Sequence, residues 1–258
     1  TEEMQRLVPF VDRFVVNSHY YADEMARRLA IPRGQFDIAP LTIDTDDFAR
    51  PDMTERGNRA KASRDRTIGY LARLAPEKGL HILVDAFRRL KKRPNTDHIR
   101  LKIAGWLGAH RQAFAEEQFG LLRSDGLAES FEHVGEVDRD EKVAFLHDID
   151  LLCVPTTYRD PKGLFALEAL ASGTPVVLPS HGSFPEMIDR LGGGRLVPPE
   201  NPEALADALE HLLRADDERL QLGETGRQAV LAQAGTESLV ATTLSTYARV
   251  LADSLPPL

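Results

Sequence analysis

The sequence predicts an α/β protein organised as a doubly wound parallel sheet. From Thr67 onward, short strand-like runs alternate with runs of helical period, the pattern of successive βαβ units. Most of these strands, IDLLCV at 149–154 and TPVVL at 174–178 among them, lack polar alternation. Strands covered by helices on both faces read this way.

The elements follow in order. VDRFVVN at 11–17 reads as a short strand, and His19 to Ala30 carries a helical pattern that stops at Ile31-Pro32. Gln35 to Ala39 is a second short strand. Periodicity then disappears from Pro40 to about Asp65, where Pro51, Gly57 and many charges indicate a linker. TIGYLA at 67–72 is the next strand, followed by Ile82, Leu83, Ala86, Phe87 and Leu90 at helical spacing. IRLKIA at 99–104 precedes a helix over 110–124. A strand over 130–134 precedes a helix over 138–147, and IDLLCV precedes a helix over 164–171. TPVVL and a short strand over 195–197 complete the sheet. Leu205, Ala208, Leu209, Leu212 and Leu213 mark another helix. A terminal helix over 238–252 carries Leu239, Val240, Leu244, Tyr247, Val250 and Leu251 on one stripe.

At about 150 residues per domain, 258 residues correspond to roughly two domains. Lys and Arg total 32 against 40 Asp and Glu, a net charge of −8, which argues against a nonspecific nucleic-acid binder. An anion site needs only a few local donors and remains open. Cys153 is the single cysteine, so an intramolecular disulfide and a Cys-rich zinc site are excluded, and a reducing, cytoplasmic location is expected. The Thr-Glu-Glu-Met start has neither the basic nor the apolar region of a signal peptide, and no apolar run approaches bilayer-crossing length. A start without Met is expected of a piece of a longer protein.

Ligands of doubly wound sheets bind where strands enter helices, at the carboxyl ends of the strands. The richest such loop runs from Tyr158 through Asp160, Pro161, Lys162 and Gly163 to Glu168. Asp160 precedes a helix whose first turn is expected to hold Pro161 and Gly163. Free N–H groups at a helix start form an anion site, and glycine admits a ligand close to the backbone. Two readings stand. Asp160 is a helix N-cap and Glu168 a solvated helix residue, or Glu168 lies buried in its apolar run and takes ligand hydroxyls as partners. A second loop places Arg73 and Lys78 around a strand-to-helix turn beside Gly79. Two cations there neutralise a diphosphate, or Arg73 simply pairs with Glu77.

Other features read as structural. Gly105-Trp-Leu-Gly108 is not a dinucleotide fingerprint, and Trp106 is expected to pack on its own helix rather than stack on a base. Ser183 and Glu186 have capping-box spacing. D-x-D triplets at Asp44, Asp138 and Asp148 fit chance in an acidic chain. No H-E-x-x-H or H-x-H occurs, so no metal site is expected. Cys153 sits in an apolar strand as inert core.

Taken together the loops resemble, in order and content, the retaining glycosyltransferases of the GT-B fold, family 4 or group 1. VDRFVVNS at 11–18 resembles A-D-x-V-I-x-x-S. Asp37-Ile-Ala-Pro40, Ile43-Asp44 and Phe48 resemble I-x-V-I-P-N-G-V-D-x-x-x-F, with Leu41-Thr42 in place of Asn-Gly. Arg73-Leu and Glu77-Lys78-Gly79 resemble G-R-L-x-x-E-K-G, and Phe131 to Val137 resembles F-x-G-x-V. Most specific is Asp160-Pro-x-Gly-Leu-x-x-x-Glu168-Ala-x-Ala-x-Gly-x-Pro-Val-Val, which resembles the E-x7-E signature.

The resemblance implies a Rossmann-like GT-B C-terminal domain. By it, Arg73 and Lys78 bind the donor diphosphate with backbone N–H groups near Gly163 and Leu164. Glu168 holds the ribose, Asp160 orients the transferred sugar, and the backbone at Val134 and Gly135 lies near the base. Three departures stand out. Asp160 replaces Glu and moves the carboxylate by about 1.5 Å, one carbon–carbon step. Lys162 replaces an aromatic residue and adds a cation beside the anion site. Ala72 replaces Gly.

The expected organisation is the end of an N-terminal acceptor domain plus linker over 1–50, a donor-binding domain over 51–235, and a crossing helix over 236–258. The expected function is retaining, metal-independent sugar transfer from a nucleotide-diphosphate sugar, with no other cofactor. The acceptor (a sugar, lipid or small molecule) would be bound by an N-terminal domain absent from this chain, which alone is expected to transfer poorly. Peripheral membrane contact would belong to the full-length protein. A noncatalytic nucleotide-sugar-binding or protein-interaction module is the alternative, and an epimerase or phosphorylase on this fold ranks below it.

Overall fold

A computed structural model describes residues 2–48, 65–234 and 236–254. The expected linker falls largely on 49–64, and the expected boundaries at 50/51 and 235/236 fall on or beside residues outside this set. Eight strands are described: β1 (Phe14–Val16), β2 (Phe36–Ile38), β3 (Arg66–Leu71), β4 (Ile99–Ala104), β5 (Phe131–Gly135), β6 (Leu151–Cys153), β7 (Val176–Pro179) and β8 (Gly194–Val197). The helices are α1 (Glu2–Leu7), α2 (His19–Leu29), α3 (Leu80–Leu90), α4 (Gln112–Ser124), α5 (Arg139–Asp148), α6 (Leu164–Ala171), α7 (Phe184–Leu191), α8 (Pro202–Arg214), α9 (Asp216–Gln233) and α10 (Thr236–Ser254).

Strands β3 to β8 form one sheet in the order β5-β4-β3-β6-β7-β8, and every pairing is parallel. Ile68 of β3 lies between Leu101 of β4 and Leu151 of β6. Strand order reverses between β3 and β6, and that switch point opens a crevice at the strands' carboxyl ends. Ile68, Tyr70, Leu151, Leu152, Val176 and Val177 are completely buried, as the missing polar alternation of their strands predicts, and Leu101 and Ile103 are the buried face of the alternating β4. Cys153 is buried core, and burial pushes its thiol pKa up.

Strands β1 and β2 pair in parallel as a separate small sheet. Asp37 of β2 accepts from Arg13 at 2.9 and 3.0 Å and pairs with Arg249 of α10 at 2.9 Å, which ties the terminal helix to the N-terminal residues. Val240, Leu244, Tyr247 and Leu251 of α10 remain exposed.

The structure corrects several expectations. Strand β7 begins at Val176 rather than Thr174, because Pro175 offers no ladder N–H. Helices α1 and α9 are not read as helices from the sequence, and of α7 only a start is read, from the Ser183–Glu186 spacing. In α9 the contact with α6 uses glycine instead of an apolar stripe: a Cβ on Gly226 would lie 2.6 Å from Leu170 Cδ2. The expected Ser183–Glu186 capping box does not form. Ser183 Oγ donates to the Asp160 carbonyl at 3.0 Å, and Glu186 accepts from the His19 and Tyr20 N–H groups at 2.9 and 3.0 Å. Glu186 therefore caps α2, far away in sequence.

Candidate functional site

The loops after β3 and β6 meet at the switch point. The Thr157 N–H donates to the Glu77 carbonyl at 3.1 Å and joins them. Gly79 takes φ +75°, and a Cβ there would lie 1.8 Å from the Pro155 carbonyl oxygen. Only glycine combines that left-handed turn with such close approach. The turn delivers Lys78 to the β6 loop, where its Nζ donates to Asp160 Oδ2 at 3.0 Å and to the Tyr158 hydroxyl at 2.5 Å. The Tyr158 hydroxyl in turn donates to Asp160 Oδ2.

Asp160 is 4% exposed. Its Oδ1 accepts the N–H groups of Lys162 and Gly163 at 2.9 and 3.1 Å. Burial pushes its carboxyl pKa up, but donation from Tyr158 and the Lys162 N–H, with the Lys78 charge, outweighs this, and the net value lies below the ordinary one. Burial, then the bond to Asp160, pushes the Tyr158 phenol well above its usual range. Helix α6 starts one residue after Gly163, which holds φ +65° as its N-cap. Pro161 and Gly163 thus precede the helix rather than forming its first turn. Leu164 and Phe165 open the helix, where N–H groups have no intrahelical acceptor.

Arg73 is exposed and pairs with Glu77 at 3.3 Å, as the plainer reading of that turn expected, yet it lies near enough to act electrostatically on Tyr158. Glu168 is 9% exposed. Its Oε1 accepts from Lys142 Nζ at 2.5 Å, so a protein cation partners the buried carboxylate. Lys142 also lies over the Phe48 ring, 5.7 Å from its centroid. Glu168, Lys142, Leu164, Val137, Asp44 and Phe48 line a cavity of about 490 Å³, a size that suits a small-molecule ligand.

The structure thus brings Arg73, Lys78, Asp160, Gly163, Leu164 and Glu168 to the same end of the sheet. Two other candidates stand at that end as well but line neighbouring hollows. Lys162 lines a smaller cleft with Ser18, His19 and Glu186, and Val134 lines a groove with Lys102 and Glu132. Gly135 supplies the carbonyl that accepts from the Gly105 N–H at 2.8 Å. Tyr158 and Lys142 went unrecognised in the sequence; Tyr158 showed one usable signal, its position two residues before Asp160. The D-x-D aspartates have protein partners: Asp44 pairs with Arg139 at 3.7 Å, Asp138 caps α5, and Asp148 accepts from Lys102 at 2.6 Å. Trp106 is partly exposed, with its ring centroid 6.3 Å from that of His110 at the turn entering α4.

The profile of the glycosyl transferases group 1 family matches residues 52–229. The chain belongs to the group 1 glycosyl transferases. This group 1 chain is 30% identical over 261 residues to a D-inositol 3-phosphate glycosyltransferase of Paenarthrobacter aurescens, covering 99% of the chain and 62% of that protein. It is 31% identical over 219 residues to a GDP-mannose-dependent alpha-(1-6)-phosphatidylinositol monomannoside mannosyltransferase of Mycobacterium tuberculosis, covering 81% of the chain and 55% of that protein. The chain therefore spans little more than half the length of these relatives.

Solved GT-B glycosyltransferases share the fold. A sucrose-phosphate synthase from Thermosynechococcus elongatus superposes with a TM-score of 0.77 at 25% identity, covering 93% of this chain and 58% of that one. HepE of Anabaena, solved in complex with UDP, superposes with a TM-score of 0.78 at 19% identity, covering 92% and 64%. Among the described residues of the group 1 chain, no helix is long and apolar enough to cross a membrane.

Proposed function

We propose that this chain is the donor-binding part of a retaining glycosyltransferase that uses a nucleotide-diphosphate sugar without a metal ion. The observation that carries this is the convergence of Lys78, Arg73 and the start of α6 at the switch point. Glycosyl transfer builds negative charge on the departing diphosphate as the anomeric carbon becomes oxocarbenium-like. A cation held in place and helix N–H groups stabilise that charge without reorganising. Lys78 has one of its three N–H donors left after Asp160 and Tyr158, and that donor meets the diphosphate. Arg73 leaves Glu77 for the same anion. Glu168 Oε2 takes a ribose hydroxyl while Lys142 holds Oε1. The acceptor attacks from the face the diphosphate leaves, giving retention.

Acceptor recognition belongs to a preceding domain. The relatives' names support an acceptor that is a polyol phosphate or a lipid carrying one, and a cytoplasmic reaction with peripheral membrane contact fits such a substrate. Calorimetry with UDP, GDP and ADP tests the donor site. One of them binds, and Lys78→Ala with Arg73→Ala abolishes binding; failure of all three to bind sinks the proposal. Transfer by the chain joined to its acceptor domain continues in EDTA and keeps the donor's anomeric configuration. An inverted product or loss in EDTA refutes the corresponding half. One observation favours the noncatalytic alternative, namely that Asp160 has no acceptor site left for a sugar. Nucleotide binding without any transfer by the joined protein would decide for it.

A further inference from the structure

The Asp160 carboxylate is filled. An ionised carboxylate offers about four acceptor sites. Oδ2 receives Lys78 and Tyr158, and Oδ1 receives the Lys162 and Gly163 N–H groups. The Asp160 carbonyl is engaged too, by the Ser183 N–H at 2.9 Å and by Ser183 Oγ at 3.0 Å. Gly182 packs so closely that a Cβ on it would lie 2.6 Å from that same oxygen. Asp160 is thus locked from both sides.

The residue type agrees with the geometry. A short aspartate side chain reaches its own backbone two and three residues on, as in turns that open helices. One further methylene would carry the carboxylate about 1.5 Å beyond those N–H groups. The departure from glutamate at this position is what lets the carboxylate fold back on the start of α6.

We infer that Asp160 is a positioning residue, which with Tyr158 clamps Lys78 and the turn leading into α6 for the donor diphosphate and does not contact the transferred sugar. This rests on the donor-site reading above. The clamp holds the Lys78 ammonium beside the α6 N–H groups before any ligand arrives, so little side-chain freedom is lost on binding. Part of the Lys78 charge is offset by Asp160, and the gain is geometric: the remaining N–H points from a fixed position. The clamp acts where the second phosphate sits, so it raises affinity for a nucleoside diphosphate and leaves that for the monophosphate unchanged.

The test is titration of UDP, UMP, GDP and GMP, with UDP-glucose and GDP-mannose, against the wild-type chain and Asp160→Asn, Asp160→Glu and Tyr158→Phe. The wild type prefers a diphosphate to its monophosphate. Each variant lowers that preference by about tenfold, the worth of a charge-assisted hydrogen bond, with monophosphate affinity unchanged. Tyr158→Phe removes one donor of four and keeps the fold even if Asp160→Asn does not. If Asp160→Glu and Tyr158→Phe leave the diphosphate preference intact, and Asp160→Glu changes only the gap between the diphosphate and its sugar-linked form, Asp160 contacts the sugar and the clamp is refuted. A wild-type chain that binds none of these ligands overturns the donor site itself and this inference with it.

Discussion

Replacing Gly79 with alanine separates two costs that converge at the Lys78 turn. An L-residue in the left-handed region costs about 1–2 kcal/mol, partly offset by the lower entropy of the unfolded alanine chain. The added Cβ would also sit 1.8 Å from the Pro155 oxygen and 2.5 Å from its carbonyl carbon. Both atoms are backbone, anchored at the end of β6, so the turn itself must move. Overpacking of this kind costs about 1–3 kcal/mol. The sum is about 2–4 kcal/mol, which for a domain of this size lowers Tm by about 5–15 °C.

Two other glycines supply the controls. Gly126 shares φ +75° with nothing within 4 Å of its Cβ position, so alanine there carries the backbone cost alone. Gly34 has open space and no left-handed φ, so its variant should match wild type. Thermal unfolding of the three variants should rank Gly34→Ala, Gly126→Ala and Gly79→Ala in order of increasing loss. Equal losses at Gly79 and Gly126 would refute the close-approach argument. Nucleotide affinity should fall only for Gly79→Ala, because that turn delivers Lys78.

Lys142→Met strands the Glu168 carboxylate in a mostly buried place and should destabilise the chain by about 2–4 kcal/mol in urea unfolding. Adding Glu168→Gln should restore most of that loss, and additive single-variant losses would show that the pair is not coupled. The folded-state pKa of Asp160 is depressed, as are those of Asp37 and Asp216 beside their arginines. Their stabilising contribution is therefore present above the ordinary aspartate value of about 3.9 and lost as pH falls through the lower folded values. Stability should stay level for these groups above about pH 5 and decline below pH 4, less steeply in Asp160→Asn; an equal acid slope in that variant would count against the shift.

Much of this protein is written locally. Buried apolar strands without polar alternation, separated by helical periods, determine a parallel doubly wound sheet, because each strand must be covered on both faces. The loops at their carboxyl ends can be found from the same pattern, so Arg73, Lys78, Asp160 and Glu168 were identifiable as candidates from chain position alone. Helix α9 was not, because its buried face is built on Gly223 and Gly226, which leave no hydrophobic stripe.

Only the tertiary structure decided the partners. Glu168 met Lys142 from α5, Glu186 turned from its own helix to cap α2, and Lys162 and Val134 came to line a neighbouring cleft and groove. Asp160 closed on Lys78 and Tyr158. Periodicity reports which face of an element is apolar, a property of a few neighbouring residues. Which cation reaches a buried carboxylate depends on the strand order that brings residues 78 and 160 together at the switch point, and that order is set by the packing of the whole sheet.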